Sequence, residues 1–329
     1  MNSATPPAAS FPNYYRVCGL RIGSAIPFPE LGVTSARSGA DPVDIELVVG
    51  SGSYAWNPLD TVMTLDDPDE GTWLQCTRSL EGYRFHFPDL ADFLVDGSGC
   101  RVICLAQVET PPKTIRHLFL DQVLPLLLNL RGREALHASA IEVAAGACAF
   151  MGMSGEGKST LAAAFQVAGH RILSDDCLVL KDDPDLVLVE PAYPGLRLWD
   201  DSREYIFGAS KPSQAVSHYN DKRRIVTPGP NPEISETFEL HRIYSLIRNV
   251  SDSREREPAI ERLSVRDALM ELISFAFRLD LTDQAMILRQ MHVLERVARR
   301  VPVKRLRLPD ELAAIPQARA LILQDLQRG

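Results

Sequence analysis

What this 329-residue chain lacks narrows its role before any motif is read. Its six cysteines, Cys18, Cys76, Cys100, Cys104, Cys148 and Cys177, include no CxxC pair, which argues against a disulfide framework or a cysteine metal site; buried free thiols are expected. Positive charge is in deficit: 35 Lys and Arg stand against 43 Asp and Glu, a net charge of -8, and the densest basic cluster is Lys222-Arg223-Arg224. Nucleic-acid binding is therefore not expected. Long apolar runs are missing as well. The most apolar stretch, LFLDQVLPLLLNL, is too short to span a bilayer and carries Asp121, Pro125 and Asn129, so it reads as a buried helix and no membrane partner is expected. The start, MNSATPPAASFP, has no basic region leading into an apolar one. Residues 1–12 read as a disordered tail, and the expected location is the cytoplasm. There is no internal repeat and no LSGGQ-like signature of an ABC-type ATPase.

What remains divides into two regions. Residues 13–115 alternate short apolar runs (YYRVCGLRI, VDIELVV, TWLQCTRS, YRFHF, CRVICLAQV) with Pro, Gly, Asp and Ser clusters, the pattern of a β-rich N-terminal region. Pro111-Pro112 marks the break, and 116–329 reads as an α/β domain. It opens with a helix over 114–131 ending at Gly132. A strand (138–143), a turn at Ala145-Gly146, a second strand (147–151), a Gly-rich loop and a helix (158–168) follow, then strands at 171–174, 177–181 and 186–190. Residues 201–234 read as irregular. Helices are expected at 264–279, with a capping box from Ser264 to Asp267, at 283–300 and at 310–327. VPVKRLRLP between the last two has the alternation of an edge strand.

The loop is Gly152-Met153-Ser154-Gly155-Glu156-Gly157-Lys158-Ser159-Thr160, a full match to the P-loop pattern between a strand and a helix. Glycines let backbone N–H groups converge on phosphate, the helix N-terminus adds positive potential, Lys158 reaches the β/γ-phosphates, and Ser159 offers a hydroxyl to magnesium. Nucleotide binding, with ATP and Mg2+, follows. Asp175-Asp176 close the next strand, and parallel strands bring their C-terminal ends to one edge. One Asp can serve the metal and the other the acceptor; the spacing does not say which. A turn at Ala145-Gly146 sets His137 opposite Ser154, against the loop, and a turn at Pro184 sets Glu190 opposite Cys177, where it becomes a candidate metal ligand. Lys222 and Arg223, with Arg224, are candidates to close over the phosphates, and Arg197 is a weaker one. His170 and Arg171 read as structural. Together these groups suit phosphoryl transfer to a hydroxyl.

The stretch LHASAIEVAAGACAFMGMSGEGKSTLAAAFQVAGHRILSDD resembles the catalytic core of the HPr kinase/phosphorylase family: a His before a two-stranded lead-in, a GxSGxGKS loop, a helix ending in GHR and a strand ending in a double Asp. The resemblance implies an α/β fold with an HPr kinase/phosphoenolpyruvate carboxykinase-like P-loop core, a twisted mixed sheet flanked by helices. It also implies Asp175 as general base assisted by His137, with Asp176 and Ser159 handling magnesium. Thr160 stands where the bacterial HPr kinases usually have Glu, and with PGLRLW, KRR and the terminal VPVKRLRLP the whole chain looks more like the HPr-kinase-like proteins of lasso peptide clusters. The activity implied is ATP-dependent phosphorylation of a serine hydroxyl, often the C-terminal one, on a precursor peptide or small protein; homo-oligomerisation stays open. The alternatives are an HPr(Ser) kinase/phosphorylase-type regulator and a nucleotide-binding assembly factor that transfers nothing to a peptide.

Overall fold

The computed structural model describes residues 11–31, 42–52, 54–67, 71–181, 183–193, 195–225, 236–249 and 257–328. Residues 1–10 of the expected tail, Asp182 of the turn before Pro184, Pro194 of PAYPGLRLW and residues 226–234 of the expected irregular segment lie outside them. The chain divides into two compact units, Met1–Val108 and Glu109–Gly329.

The first unit is one eight-stranded mixed sheet among its described residues: β1 (Asn13–Val17), β2 (Leu20–Ser24), β3 (Ile45–Val49), β4 (Asp60–Asp67), β5 (Gly71–Arg78), β6 (Gly82–Phe87), β7 (Ala91–Asp96) and β8 (Arg101–Ala106), in the order β1-β2-β3-β8-β7-β6-β5-β4. β3 lies parallel to both β2 and β8, and the other pairings are antiparallel. The run YYRVCGLRI is a hairpin: Cys18 and Gly19 both adopt positive φ (54° and 66°), the conformation of a two-residue turn whose twist matches its strands. Phe85, Phe87 and Phe93 are buried side by side, Phe87 meeting Phe93 edge-on at 5.9 Å.

The second unit begins with α1 (Pro112–Leu118) and α2 (Leu124–Leu130), joined by a π turn over Phe119–Val123. The helix expected over 114–131 is thus widened at its centre, around Asp121, with Pro125 tolerated in the first turn of α2. Then come β9 (Ala135–Leu136), β10 (Ala138–Val143), β11 (Gly146–Met151), α3 (Lys158–Val167), β12 (Ile172–Ser174), β13 (Leu178–Lys181), β14 (Leu188–Glu190), β15 (Leu196–Leu198), α4 (Asp200–Phe207), β16 (Gln214–Ala215), β17 (Arg223–Ile225), β18 (Phe238–Asn249), β19 (Ala259–Arg262), α5 (Val265–Phe275), α6 (Gln284–Arg300), β20 (Val303–Pro309) and α7 (Ile315–Gln327). Side chains of Ser264 and Asp283 cap α5 and α6.

The large mixed sheet runs β12-β10-β11-β18-β14-β13-β9, with β20 also paired to β18 and β19 to β20. β11 shows why it sits inside: Ala147, Ala149 and Met151 face the α5–α6 layer, while Cys148 and Phe150 face α3 and α7. Both faces of this strand are covered, so its run is apolar throughout. Phe150 stacks between Phe165 (5.7 Å) and Tyr244 (6.2 Å) on the α3–α7 side. Two expectations change. VPVKRLRLP is not an edge strand, because β20 lies between β18 and β19. The segment from 201 onward is not irregular: it contains α4, and β16 and β17 form a three-stranded sheet with β15. Among the described residues no helix is long and apolar enough to cross a membrane.

Candidate active site

One edge of the large sheet collects the polar residues. β10 is antiparallel to both β11 and β12, so it starts where they end. His137 immediately precedes β10, the glycine loop 152–157 follows β11, and Asp175-Asp176 follow β12. The β10–β11 register pairs Val143 with Gly146 and Ala138 with Met151, so the turn is Ala144-Ala145 and His137 lies level with Gly152 instead of Ser154. A two-residue shift keeps the same face. The β13–β14 register is also displaced by two: Glu190 faces Val179, not Cys177. Arg133 donates to the Glu190 carboxylate, so Glu190 as a metal ligand beside Asp176 is corrected to a structural ion-pair partner.

In the loop, Gly157 caps α3 from the left-handed region (φ 98°) and no side chain satisfies the helix's first N–H groups. A Cβ on Gly152 would come within 2.6 Å of the Glu156 carboxylate, which itself accepts the Met153 N–H at 2.6 Å. An anion already rests in the loop, and it belongs to the chain. Lys158 is buried, and its Nζ donates to the Gly152 and Met153 carbonyls at 2.8 and 3.0 Å. Burial lowers the Lys158 pKa, opposed by Asp176 and Asp175. Met153, Ser154 and Gly155 are exposed, whereas Thr160 is buried.

The two aspartates have different surroundings. Asp175 is buried; its Oδ1 accepts from Ser159 Oγ (2.7 Å) and Ser139 Oγ (2.8 Å), and its Oδ2 from the Arg197 backbone N–H (2.9 Å). Burial, and then the Asp176 charge, raise its pKa. Asp176 has left-handed backbone (φ 69°), a strained state for a non-glycine residue that turns its carboxylate away from its neighbour's. Its Oδ1 stands 3.4 Å from His137 Nε2 and its Oδ2 3.0 Å from Arg197 Nη2. Burial would raise its pKa, but Arg197, His137 and Lys222 hold it well below the carboxylate range. The His137 and Asp176 side chains are 38% and 24% exposed, so this second pair is open to solvent. His137 is fixed by its backbone N–H to the Phe275 carbonyl (2.7 Å) and by stacking on Phe277 (5.9 Å).

Arg197, on β15, is the hub. Its Nη2 also donates to the Asp175 carbonyl at 2.7 Å, and its Nη1 pairs with Asp121. The sequence marks Asp121 only as a polar break in an apolar run, and assigns no role to Tyr193 or His117. An Asp in an apolar helix with a His four residues earlier was the available signal. Of the KRR cluster, Lys222 acts electrostatically on Asp176 and Lys158 and its Nζ lies 5.5 Å from the Trp199 ring. Arg223 donates through Nε to Ser213 Oγ (3.2 Å), and Arg224 is buried over Tyr193. Lys222, Arg223, Trp199, Lys113 and His218 line a cleft of about 720 Å³. His170 and Arg171 bond to Glu142 and Glu236, as structural residues do.

No family model matches the chain, and no curated protein does. Among solved structures, the HPr(Ser) kinase/phosphatase from Coxiella burnetii is similar at 13% sequence identity, covering 59% of this chain and 97% of that one, with a TM-score of 0.30. A likeness of that size carries no argument by itself. The geometry has to supply it.

Proposed function

We propose that the protein is an ATP-dependent kinase that phosphorylates a serine hydroxyl of a peptide or small protein, a lasso peptide precursor being the leading candidate. The observation carrying this reading is the division of one sheet edge into two carboxylate pairs, Ser159–Asp175 inside and His137–Asp176 at the surface, beside a loop that holds an anion. Nucleotide phosphates would take the place of the Glu156 carboxylate among the loop N–H groups, at the start of α3. Ser159 Oγ and Asp175 Oδ1 form an all-oxygen donor set suited to magnesium, with substrate phosphates completing it. When bound, the ion would neutralise phosphate charge.

The roles implied by family resemblance are therefore exchanged in this proposal. A base has to reach the acceptor hydroxyl, and the Asp175 side chain is 1% exposed. Asp176, kept ionised by Arg197, is positioned to take that proton with His137 beside it, while Lys158 and Lys222 stabilise charge on the transferred phosphoryl group. The cleft walled by Lys222 and Trp199 is the natural seat for the acceptor segment. Incubation with ATP, magnesium and peptides encoded near the gene, followed by mass spectrometry, should give a phosphate mass gain on a serine. Asp176→Asn should abolish transfer while nucleotide affinity stays within about threefold, and Lys158→Ala should weaken both. Nucleotide binding without modification of any peptide or of HPr would reject the kinase reading in favour of a binding factor.

A further inference from the structure

Asp121 lies on none of the strands that build the site edge, yet it faces the site's hub. It sits in the π turn between α1 and α2, a geometry rare in helices and frequent where a side chain is redirected for function. Its side chain is 4% exposed. His117 Nδ1 lies 2.5 Å from Oδ2, Tyr193 OH donates to Oδ1, Arg197 Nη1 pairs with Oδ2, and Arg224 Nη2 stands 3.9 Å away. A buried carboxylate with this many partners is committed to one orientation.

What Asp121 holds, by ion-pair contact and not by a hydrogen bond, is one corner of a planar guanidinium. The opposite corner of Arg197, Nη2, reaches both the Asp175 carbonyl (2.7 Å) and Asp176 Oδ2 (3.0 Å). Because the donors of arginine form a rigid fork, fixing Nη1 fixes where Nη2 points. We propose that Asp121 is a positioning residue for phosphoryl transfer, acting through Arg197 to hold Asp176 in its strained backbone state and touching neither nucleotide nor acceptor. The proposal rests on the transfer site described above. Without the Asp121 charge, Arg197 has only the aspartate pair to neutralise and is free to swing fully onto Asp176, occluding the carboxylate that the acceptor needs. Tyr193 and His117 support Asp121 in turn.

The test is a set of folded, full-length variants assayed for ADP release from ATP with magnesium and the peptides encoded near the gene, alongside ATP affinity by calorimetry. Asp121→Asn keeps the shape and removes the charge; kcat should fall about 10–100-fold, as for outer residues that orient a catalytic group, with ATP Kd within about twofold. In an Arg197→Gln background the same substitution should cost nothing further, since its route is gone. Tyr193→Phe, which leaves the charge and removes one donor, should lower kcat by a few-fold in the same manner and serves if Asp121→Asn does not fold. A merely structural Asp121 would lower the melting temperature and leave kcat of the folded fraction unchanged, or would give losses that multiply in the double variant; either result overturns the proposal. Absence of any turnover by the wild type overturns the transfer site and this role together, whereas wild-type turnover with unchanged Tyr193→Phe and Asp121→Asn rates overturns only the role.

Discussion

Two buried charge clusters in the second unit are near inverses of each other. At the site edge, Arg197 contacts three carboxylates, Asp121, Asp175 and Asp176, with Arg224 3.9 Å from the first. Under the α7 layer, one carboxylate, Asp325, sits among Arg242 (2.9 Å), Lys304 (2.6 and 2.8 Å) and Tyr244 OH (2.7 Å). The second cluster is closed: it ties β18 and β20 to α7, and its backbone is unstrained. The first is open on one side, has a left-handed residue in it, and splits two adjacent carboxylates into one above and one below the ordinary range. Two adjacent carboxylates held in different states beside an opening, with strain retained, suit the proposed binding of a cation and a proton; the second cluster only ties its elements together.

This contrast can be broken in three places, in falling order of effect. Arg197→Met removes the cation shared by Asp121, Asp175 and the partly exposed Asp176, so stability should drop by about 3–5 kcal/mol in urea titrations and turnover should fall at least as far as in Asp121→Asn. The loss should shrink in acid, where those carboxylates are protonated. Asp325→Asn should cost somewhat less, about 2–3 kcal/mol because the group is partly exposed, with kcat unchanged in the folded protein. Burial would raise the Asp325 pKa, but Lys304, Tyr244 and Arg242 hold it below the usual value, so its contribution is complete above pH ~4 and fades as the pH falls through the lowered native value. Denaturation midpoints of wild type and variant should therefore converge below pH ~4. Asp175→Asn has the opposite sign. A raised native pKa means that ionising Asp175 opposes folding above its ordinary value, so the variant should be the more stable at neutral pH, lose that gain in acid, and lose turnover. A destabilised but active Asp175→Asn would erase the distinction between the clusters.

Much of the open cluster was readable from the chain because its parts are local. The loop, α3, the strand before Asp175-Asp176 and the lead-in hairpin all fall between His137 and Asp176, and each announces itself by glycine placement or by strand alternation. The β10–β11 register differs by two because the tight turn uses Ala144-Ala145, and nothing in alanines specifies a turn position. The sorting of the two aspartates, Asp175 to Ser159 and Asp176 to His137, goes with a left-handed backbone at Asp176 that the sequence does not encode visibly. The centrality of Arg197 was hidden for a different reason: its partner Asp121 is 76 positions earlier, in a run whose apolar character suggested only a core helix. Lys222 and Arg224 likewise owe their places to a small sheet that a polar, proline-containing stretch does not advertise. In the first unit the alternation of short strands was legible, and the order in which they pair was not.

The Glu156 carboxylate on the Met153 N–H has a kinetic meaning as well as a structural one. A ligand tethered within its own receptor acts at an effective concentration on the order of millimolar, so a nucleotide entering this loop competes with a resident that never diffuses away. For the proposed nucleotide site, the affinity measured for ATP would then be a difference between two occupants, and on product release the tether would reclaim the Met153 N–H.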